Sequence, residues 1–396
     1  MTPPLVLAID TSCDETAAAV TSGRTVMSNV IASQSQLHRR WGGVFPTVAK
    51  QAHQELLPAV ITAARRRAGA DWSQLAAIAV TQGPGLAPAL EVGLKFADRL
   101  GSRHQLPLVP VNHLEGHLLS VLAQPRRRTG RRSSGRPINA ANPARVSKPA
   151  GPTPNFPVLG LIVSGAHTEL VLVNDFGRYH RLGWTVDDAA GEALDKIGRM
   201  LGLGYPAGPV IEQLAKRVPA AALAAADAPG SPWRFPLPMT ASGDYNFSFS
   251  GLKTFAKNLI GRLEQAGRLD RQTVALLAAV TQRGVLRHLT YKLNKVLADH
   301  PQLGEVWLSG GVAANIELRR QVRAAIKPYG LKLATPYTKR LCGDNAAMIG
   351  LVGGLKLELE LGKPTSRAAG QEKLVVPAGT HLDRRPRWPL DNLPGG

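Results

Sequence analysis

Apolar residues along the chain form short continuous runs that alternate with helical stripes. Leu5 to Ile9 reads as a buried strand that delivers Asp10-Thr-Ser-Cys-Asp-Glu-Thr16 into a polar turn, and Ala17 to Thr21 returns as the second strand of a hairpin. Val48, Ala52, Leu56 and Val60 recur at helical spacing and predict an amphipathic helix over Thr47 to Arg67. Ala76 to Thr81 is the next strand, followed by the turn Gln82-Gly-Pro-Gly-Leu86 and a helix from Ala89 to Leu100. Pro107 to Val111 is another strand, and a helix runs from there to about Ala123.

The opening pattern recurs later. Val158 to Val163 is an apolar strand, Ser164-Gly-Ala-His-Thr168 a polar turn, and Glu169 to Val173 the returning strand. Helices are predicted at Asp187 to Leu201, Gly208 to Arg217, Leu252 to Ala266 and Arg271 to Ala298. The strand Glu305 to Leu308 feeds the glycine turn Ser309-Gly-Gly-Val-Ala-Ala-Asn315 into a helix N-terminus, a favourable place for a phosphate or nucleoside. Cys342-Gly-Asp-Asn-Ala-Ala-Met348 opens the last long helix, to about Leu361. Strand, polar turn and strand, repeated some 150 residues apart, predict a duplicated α/β fold with two similar halves facing a cleft. The expected halves are residues 1–123 and 157–341, with the helix 342–361 packing back on the first.

Between the halves the character changes. Residues 124–156 carry seven Arg, one Lys and no acid among many Pro, Gly, Ser and Asn, so they read as a disordered insertion that adds general attraction for polyanions. Residues 364–396 lack periodicity and read as a loose tail. The whole chain of 396 residues has a formal charge of +20, of which the insertion holds eight, leaving about twelve on the folded parts. That excess points to a polyanionic partner, with RNA or DNA first. No apolar run reaches the roughly 18 residues of a membrane span, and no basic, apolar leader opens the chain. Only Cys13 and Cys342 are present, which excludes a disulfide scaffold and fits a reducing compartment such as the cytoplasm.

Candidate chemistry concentrates in Asn112-His113-Leu114-Glu115-Gly116-His117. Residues four apart share one helix face, so both imidazoles can reach one ion. Glu115 lies two residues, about 200°, round the helix from His113 and points away from it. Asn112 with Glu115 three positions on has the form of a capping box. A zinc protease would need its carboxylate beside the ion, which disfavours that reading. His53 reads as structural.

The motifs together resemble one family. Three glycine-containing turns after strands are similar to the two phosphate motifs and the adenosine motif of the actin, Hsp70 and sugar-kinase superfamily. Asp10 to Thr16, Asn112 to His117, Val163 to Thr168, Asp187 to Lys196, Phe249 to Thr254, Gly310 to Asn315 and Asp344 to Ile349 then look like the tRNA N6-adenosine threonylcarbamoyltransferase family. The resemblance covers residues 5–123 and 157 to about 361.

The resemblance implies an actin-like (RNase H-like) fold and an acyltransferase. Its reaction moves the threonylcarbamoyl group from threonylcarbamoyl-AMP to N6 of the adenosine 3′ of the anticodon, in tRNAs reading codons that begin with A. His113, His117 and Asp344 match the family's metal ligands, and an ion there would bridge the cleft between the halves. This donor set suits iron(II) ahead of zinc. Ile162, Val163, Ser164, Gly165 and Ala166 match the loop that holds the adenylate, and Asp195, Gly208, Glu212 and Asn315 match positions gripping its sugar and base. Asp14 and Glu15 match acids near the transferred group and are the candidate catalytic bases. His38, His104 and His288 have no match, and their loss is expected to matter little. Implied partners are a synthase making the adenylate and, in bacteria, a related inactive subunit and a small ATPase.

Five positions depart from the family pattern. Asp10 and Glu212 exchange the usual Glu and Asp, Pro88 replaces a Gly, and Ala166 and Ala207 replace glycines. A methyl at either alanine would crowd a ligand if that backbone took a positive φ. A small-molecule kinase of the same fold and a non-enzymatic ATP-binding scaffold are the alternative readings, and neither explains a His, His, Asp cluster.

Overall fold

The computed structural model describes residues 3–39, 42–126, 154–361 and 373–393. Among the described residues eleven strands form two sheets: β1 (Leu5–Asp10), β2 (Glu15–Ser22), β3 (Thr25–Ser33), β4 (Leu75–Gly83), β5 (Leu108–Asn112) and β6 (Gln124–Pro125) make one. The second comprises β7 (Val158–Val163), β8 (Thr168–Asp175), β9 (Arg178–Trp184), β10 (Glu305–Ser309) and β11 (Lys332–Ala334). In the first sheet β1, β2 and β3 are an antiparallel meander, and β4 and β5 extend it in parallel on the other side of β1. In the second, β7, β8 and β9 repeat the meander, and β10 and β11 repeat the parallel extension. The chain is thus a mixed α/β protein with one topology used twice.

The helices are α1 (Ser35–His38), α2 (Pro46–Ala68), α3 (Ala87–His104), α4 (His113–Leu119), α5 (Ala190–Met200), α6 (Gly208–Ala215), α7 (Ala220–Ala226), α8 (Ser250–Gln265), α9 (Arg271–Asp299), α10 (Ile316–Ile326) and α11 (Ala346–Leu361). Three buried clusters hold them. One packs α2 and α3 on the outer face of the first sheet, through Leu57, Ile61, Leu94 and Ile78. Another packs α5, α8, α9 and α10 on the outer face of the second, around Leu161, Leu170, Ile197 and Leu289. The third is a central layer in which Leu114 and Leu118 of α4 and Met348 to Val352 of α11 meet Val6 and Ala8 on one side and Val171, Val173 and Trp307 on the other. Side chains alternate along a strand, so both sheets need this second apolar face covered. Helix α11 comes close because Gly350 faces Ala8 and Thr21, and Gly353 faces Ala79 and Val6, where an added Cβ would overlap its neighbour.

Several expectations need correction. Both hairpins carry a third strand, β3 and β9, and each is partly solvent-facing, so its apolar period is weak. The core face of α2 is set by Ala49, Ala52, Leu57, Val60, Ile61 and Ala64, one position away from part of the expected stripe. Residues 124–126 belong to the first half rather than to the insertion, since β6 pairs with Thr25 and Val26 and Arg126 donates to the carbonyl of Ala68. Asn155 donates its N–H to Glu305, and Phe156 packs edge-on against Phe176. The arginine-rich stretch 127–153 lies outside the described residues.

The tail is not loose over 373–393. Val376 pairs with Leu108 of β5, and Trp388, Leu390 and Leu393 are buried in the central layer. This strap threads over the ends of β4 and β5 through backbone bonds, with Arg385 N–H donating to Gln82 and Gly85 N–H to Pro386. Gly83 is required there, because a Cβ would overlap the Arg385 carbonyl. The strap has no periodicity for sequence to reveal, since carbonyls and N–H groups make most of its contacts.

Candidate metal centre and nucleotide-binding turns

Helix α4 starts where β5 ends, and Asn112 caps it, its Oδ1 accepting from the N–H groups of Leu114 and Glu115. The cap is itself held, because Asn112 Nδ2 donates to the Trp388 carbonyl of the strap. The capping box is only half made. Glu115 accepts instead from Tyr179 Oη at 3.0 Å and pairs with Lys356 at 3.1 Å. A buried carboxylate needs a charge partner more than it needs a local turn.

His113 and His117 then face Asp344. His117 Nε2 lies 3.1 Å and His113 Nε2 3.5 Å from Asp344 Oδ1, and candidate ligand atoms of the three residues fall within 4.8 Å of one another. On its far side His113 Nδ1 is 3.6 Å from Asp10 Oδ1, which also accepts from Thr81 Oγ1. Two imidazole nitrogens converging on one carboxylate oxygen, with an acid behind one ring, fit a divalent ion bound by His113, His117 and Asp344. The three do not come from opposite walls as expected. Asp344 lies two residues before α11, which packs on β1 and β4, so the group is built on the first half and the central layer.

The electrostatics are those of a cluster short of positive charge. Burial alone would lower the His113 pKa, but the carboxylates of Asp344 and Asp10 raise it to about 10. Burial and His113 keep His117 low, and the two histidines hold Asp344 well below the usual carboxylate range despite its burial. Burial, then Asp14 and Asp344, push Glu15 well above its usual range, and burial and Asp14 do the same to Cys13. His167 is pushed down to about 3 by burial and by His113 and His117. Asp10 thus belongs to the site through its approach to His113, and His167 lies within electrostatic reach of it, although neither stood out as a site residue by spacing alone. Each directly follows or lies in a turn after a strand, which is the signal that could have found them.

The second half supplies the other turns. Ile162 and Val163 are fully buried core residues, so their side chains cannot meet a ligand; Gly165 and Ala166 are exposed. Ser164 Oγ accepts from the N–H groups of Ala166 and His167 and shapes that turn. Asp195 accepts from the N–H groups of Ala207 and Gly208 at 2.7 and 3.2 Å, and so holds the start of α6 rather than pairing with Lys196 or Arg199. Burial raises its pKa. Glu212 accepts from Ile316 N–H and pairs with Lys216. Asn315 caps α10 through Leu318 N–H and donates to Gln282, so its amide organises the turn instead of standing free for a purine edge. Burial, then Asp14, Cys13 and Asp195, raise the pKa of the Tyr205 hydroxyl.

The departures are accommodated. Among the described residues only Gln105 and Met239 are non-glycine positions at positive φ, so neither Ala166 nor Ala207 is strained. The Ala207 methyl occupies the space that a Cβ on Gly198 would take. Pro88 sits in the first turn of α3, where a missing N–H does no harm. The unmatched histidines are less neutral than expected. His38 is buried and accepts from Phe45 N–H, and His288 is buried against Phe247 and Phe249 and accepts from Ser248 N–H.

Two α/β halves of one topology with a His, His, Asp cluster in the central layer define the class: an actin-like fold carrying a candidate metal centre. A solved structure of full-length HypF in a phosphate- and nucleotide-bound form shares the fold, with a TM-score of 0.51 and 13% identity over 90% of this chain and 47% of that one. The model of tRNA N6-adenosine threonylcarbamoyltransferase, TsaD, matches residues 25–131 and 140–351. Relatives of that name are 42% identical in Symbiobacterium thermophilum, over 90% of this chain and 94% of the relative, and 39% identical in Geobacter sp. strain M21, over 98% and 97%. A third, from Thermosynechococcus vestitus, is 44% identical over 87% and 88%. The chain belongs to the tRNA N6-adenosine threonylcarbamoyltransferase family and is a transferase.

Proposed function

We propose that this chain transfers the threonylcarbamoyl group of threonylcarbamoyl-AMP to N6 of the adenosine 3′ of the anticodon in tRNAs reading ANN codons. The observation that carries the reading is the His113, His117 and Asp344 cluster in a chain that matches the family over most of its length. His113, His117 and Asp344 would hold a divalent ion, iron(II) ahead of zinc, and such an ion would supply Lewis acidity toward the adenylate. Asp10 lies behind the His113 ring, 3.6 Å from its Nδ1, and the Asn112 cap holds the start of the helix. The N6 nitrogen attacks the carbamoyl carbon, the bond to the phosphate oxygen breaks, AMP leaves and the N6 proton is lost.

Asp14 is the candidate acceptor of that proton. Glu15, whose pKa burial, Asp14 and Asp344 push well above the usual carboxylate range, is the second candidate acid of the turn. Ser164, Gly165 and Ala166 provide the adenylate turn, while Asp195, Gly208, Glu212 and Asn315 build the wall beside it. An adenylate-forming synthase, a related inactive subunit and a small ATPase complete the expected cytoplasmic set. The test is a reconstituted transfer on unmodified tRNA with the synthase supplied, tRNA digests being analysed for the modified nucleoside. Phosphorylation of a small molecule without any transfer would sink the reading.

A further inference from the structure

Trp184 ends β9, and with 38% of its surface exposed it is the one tryptophan among the described residues on the open surface; Val186 beside it is 57% exposed. In the register of the sheet Trp184 lies directly opposite Glu169 of β8. Directly opposed residues share a face, and alternation puts Glu169 on the same face as Val171 and Val173. Those valines belong to the central layer, so Trp184 faces the side where the two halves meet.

The backbone under the indole is fixed at every step. Thr185 N–H donates to Thr168 at the end of the adenylate turn, Phe247 N–H to Trp184, and Val186 N–H to Phe247. The Arg181 guanidinium covers one face of the indole at 4.2 Å from the ring centroid. Arg181 is already balanced by Glu169 and Asp391, each at 3.6 Å, so this is not a free cation waiting for phosphate. Arg181 also lies within electrostatic reach of His167, the imidazole that feels His113 and His117.

From these placements we infer that Trp184, backed by Arg181, is a stacking platform for an unpaired nucleobase of the RNA substrate at the mouth of the cleft. The inference rests on the proposed tRNA substrate. A rigid, flat, half-exposed ring with its charge neutralised binds a π-face and not a phosphate, and single-stranded loops are where RNA presents such faces. The net charge of +20 supplies the general attraction that brings the polyanion there.

The test measures binding of an anticodon stem–loop RNA to the full-length protein by fluorescence anisotropy over a salt series. Trp184→Ala should bind roughly 5- to 150-fold more weakly, the range expected for one lost base stack. Trp184→Phe should restore most of the affinity. The slope of log affinity against log salt should not change in either variant, because no phosphate contact is lost. Metal content and thermal midpoint should match the wild type. Equal binding by wild type and Trp184→Ala would overturn the platform while leaving the tRNA reading intact. Equal losses in Ala and Phe variants, or a flatter salt slope, would overturn stacking as its mechanism. Failure of the wild type to bind the stem–loop would remove both the platform and the substrate reading.

Discussion

Lys356 of α11 and Glu115 of α4 form a 3.1 Å ion pair inside the layer between the sheets, with both side chains buried. Lys356 also donates to the Pro110 carbonyl, and Tyr179 of β9 donates to the same Glu115 carboxylate. The pair therefore ties together the two helices that hold the imidazoles and Asp344. Lys356→Met should leave an uncompensated buried carboxylate and cost about 3–5 kcal/mol, whereas Lys356→Met with Glu115→Gln should recover much of it. Urea unfolding of the two single variants and the double variant closes the cycle. Additive losses would mean the two charges do not support each other.

Metal uptake should compete with protons. His113 is protonated up to about pH 10, because Asp344 and Asp10 outweigh its burial, and an ion must displace that proton. Apparent affinity should therefore rise with pH, by about tenfold per unit between pH 6 and 8 for one proton released. Titration of the apoprotein with zinc at several pH values reads this directly, and a flat profile would contradict it. His113→Ala, His117→Ala and Asp344→Ala should each lose the ion while remaining folded.

Glu169 offers a pH effect away from the metal. Burial raises its pKa from the usual carboxylate range to about 7, Asp391 adding to this and Arg181 opposing it. Its folded value exceeds its unfolded one, so its contribution to stability is full below about pH 4.5 and is lost as pH rises to 7. Relative to Glu169→Gln, the wild type should lose about 1–3 kcal/mol across that window and then level off. Denaturation midpoints of both proteins at pH 4.5, 6 and 8 measure the difference. A constant gap would show that Glu169 ionises normally.

Asn315→Ala should act through the turn it holds. Loss of the α10 cap should lower stability by about 1 kcal/mol, and a displaced turn should weaken binding of a non-hydrolysable adenylate analogue. Asp195→Ala should also weaken the analogue by freeing the start of α6, and both variants should keep the ion. Calorimetric titration with the analogue separates these outcomes. Unchanged binding in both would place the adenylate elsewhere.

How much of this was legible depends on what each residue touches. His113 and His117 were readable as a pair from their spacing of four on one helix, whereas Asp344, some 230 residues further on, came only through the resemblance to the family. The repeated meander was readable from β1 and β7, whose apolar runs are continuous, but β3 and β9 face solvent on part of their length and their pattern is diluted. Asn315 and Asp195 were read as ligand groups; the oxygen of Asn315 also makes a local N-cap to Leu318, and that of Asp195 accepts from Ala207 and Gly208, a turn away in the chain that no local pattern encodes. Glu115 had a local explanation as a capping partner and was claimed by a residue 241 positions away, as its number and that of Lys356 imply.

The strap has a consequence for biosynthesis. The Asn112 cap and the Gly83 to Gly85 turn are made well before their partners, Trp388, Arg385 and Pro386. The first half must wait with one corner unfinished, its β4 and β5 ends lacking their cover until residues 376–388 have been made. Domains made earlier normally fold earlier. Here the amino-terminal half begins first and closes late, so emergence of residues 385–388, rather than completion of the first half's own strands, marks the moment at which the helix bearing His113 and His117 acquires this anchor.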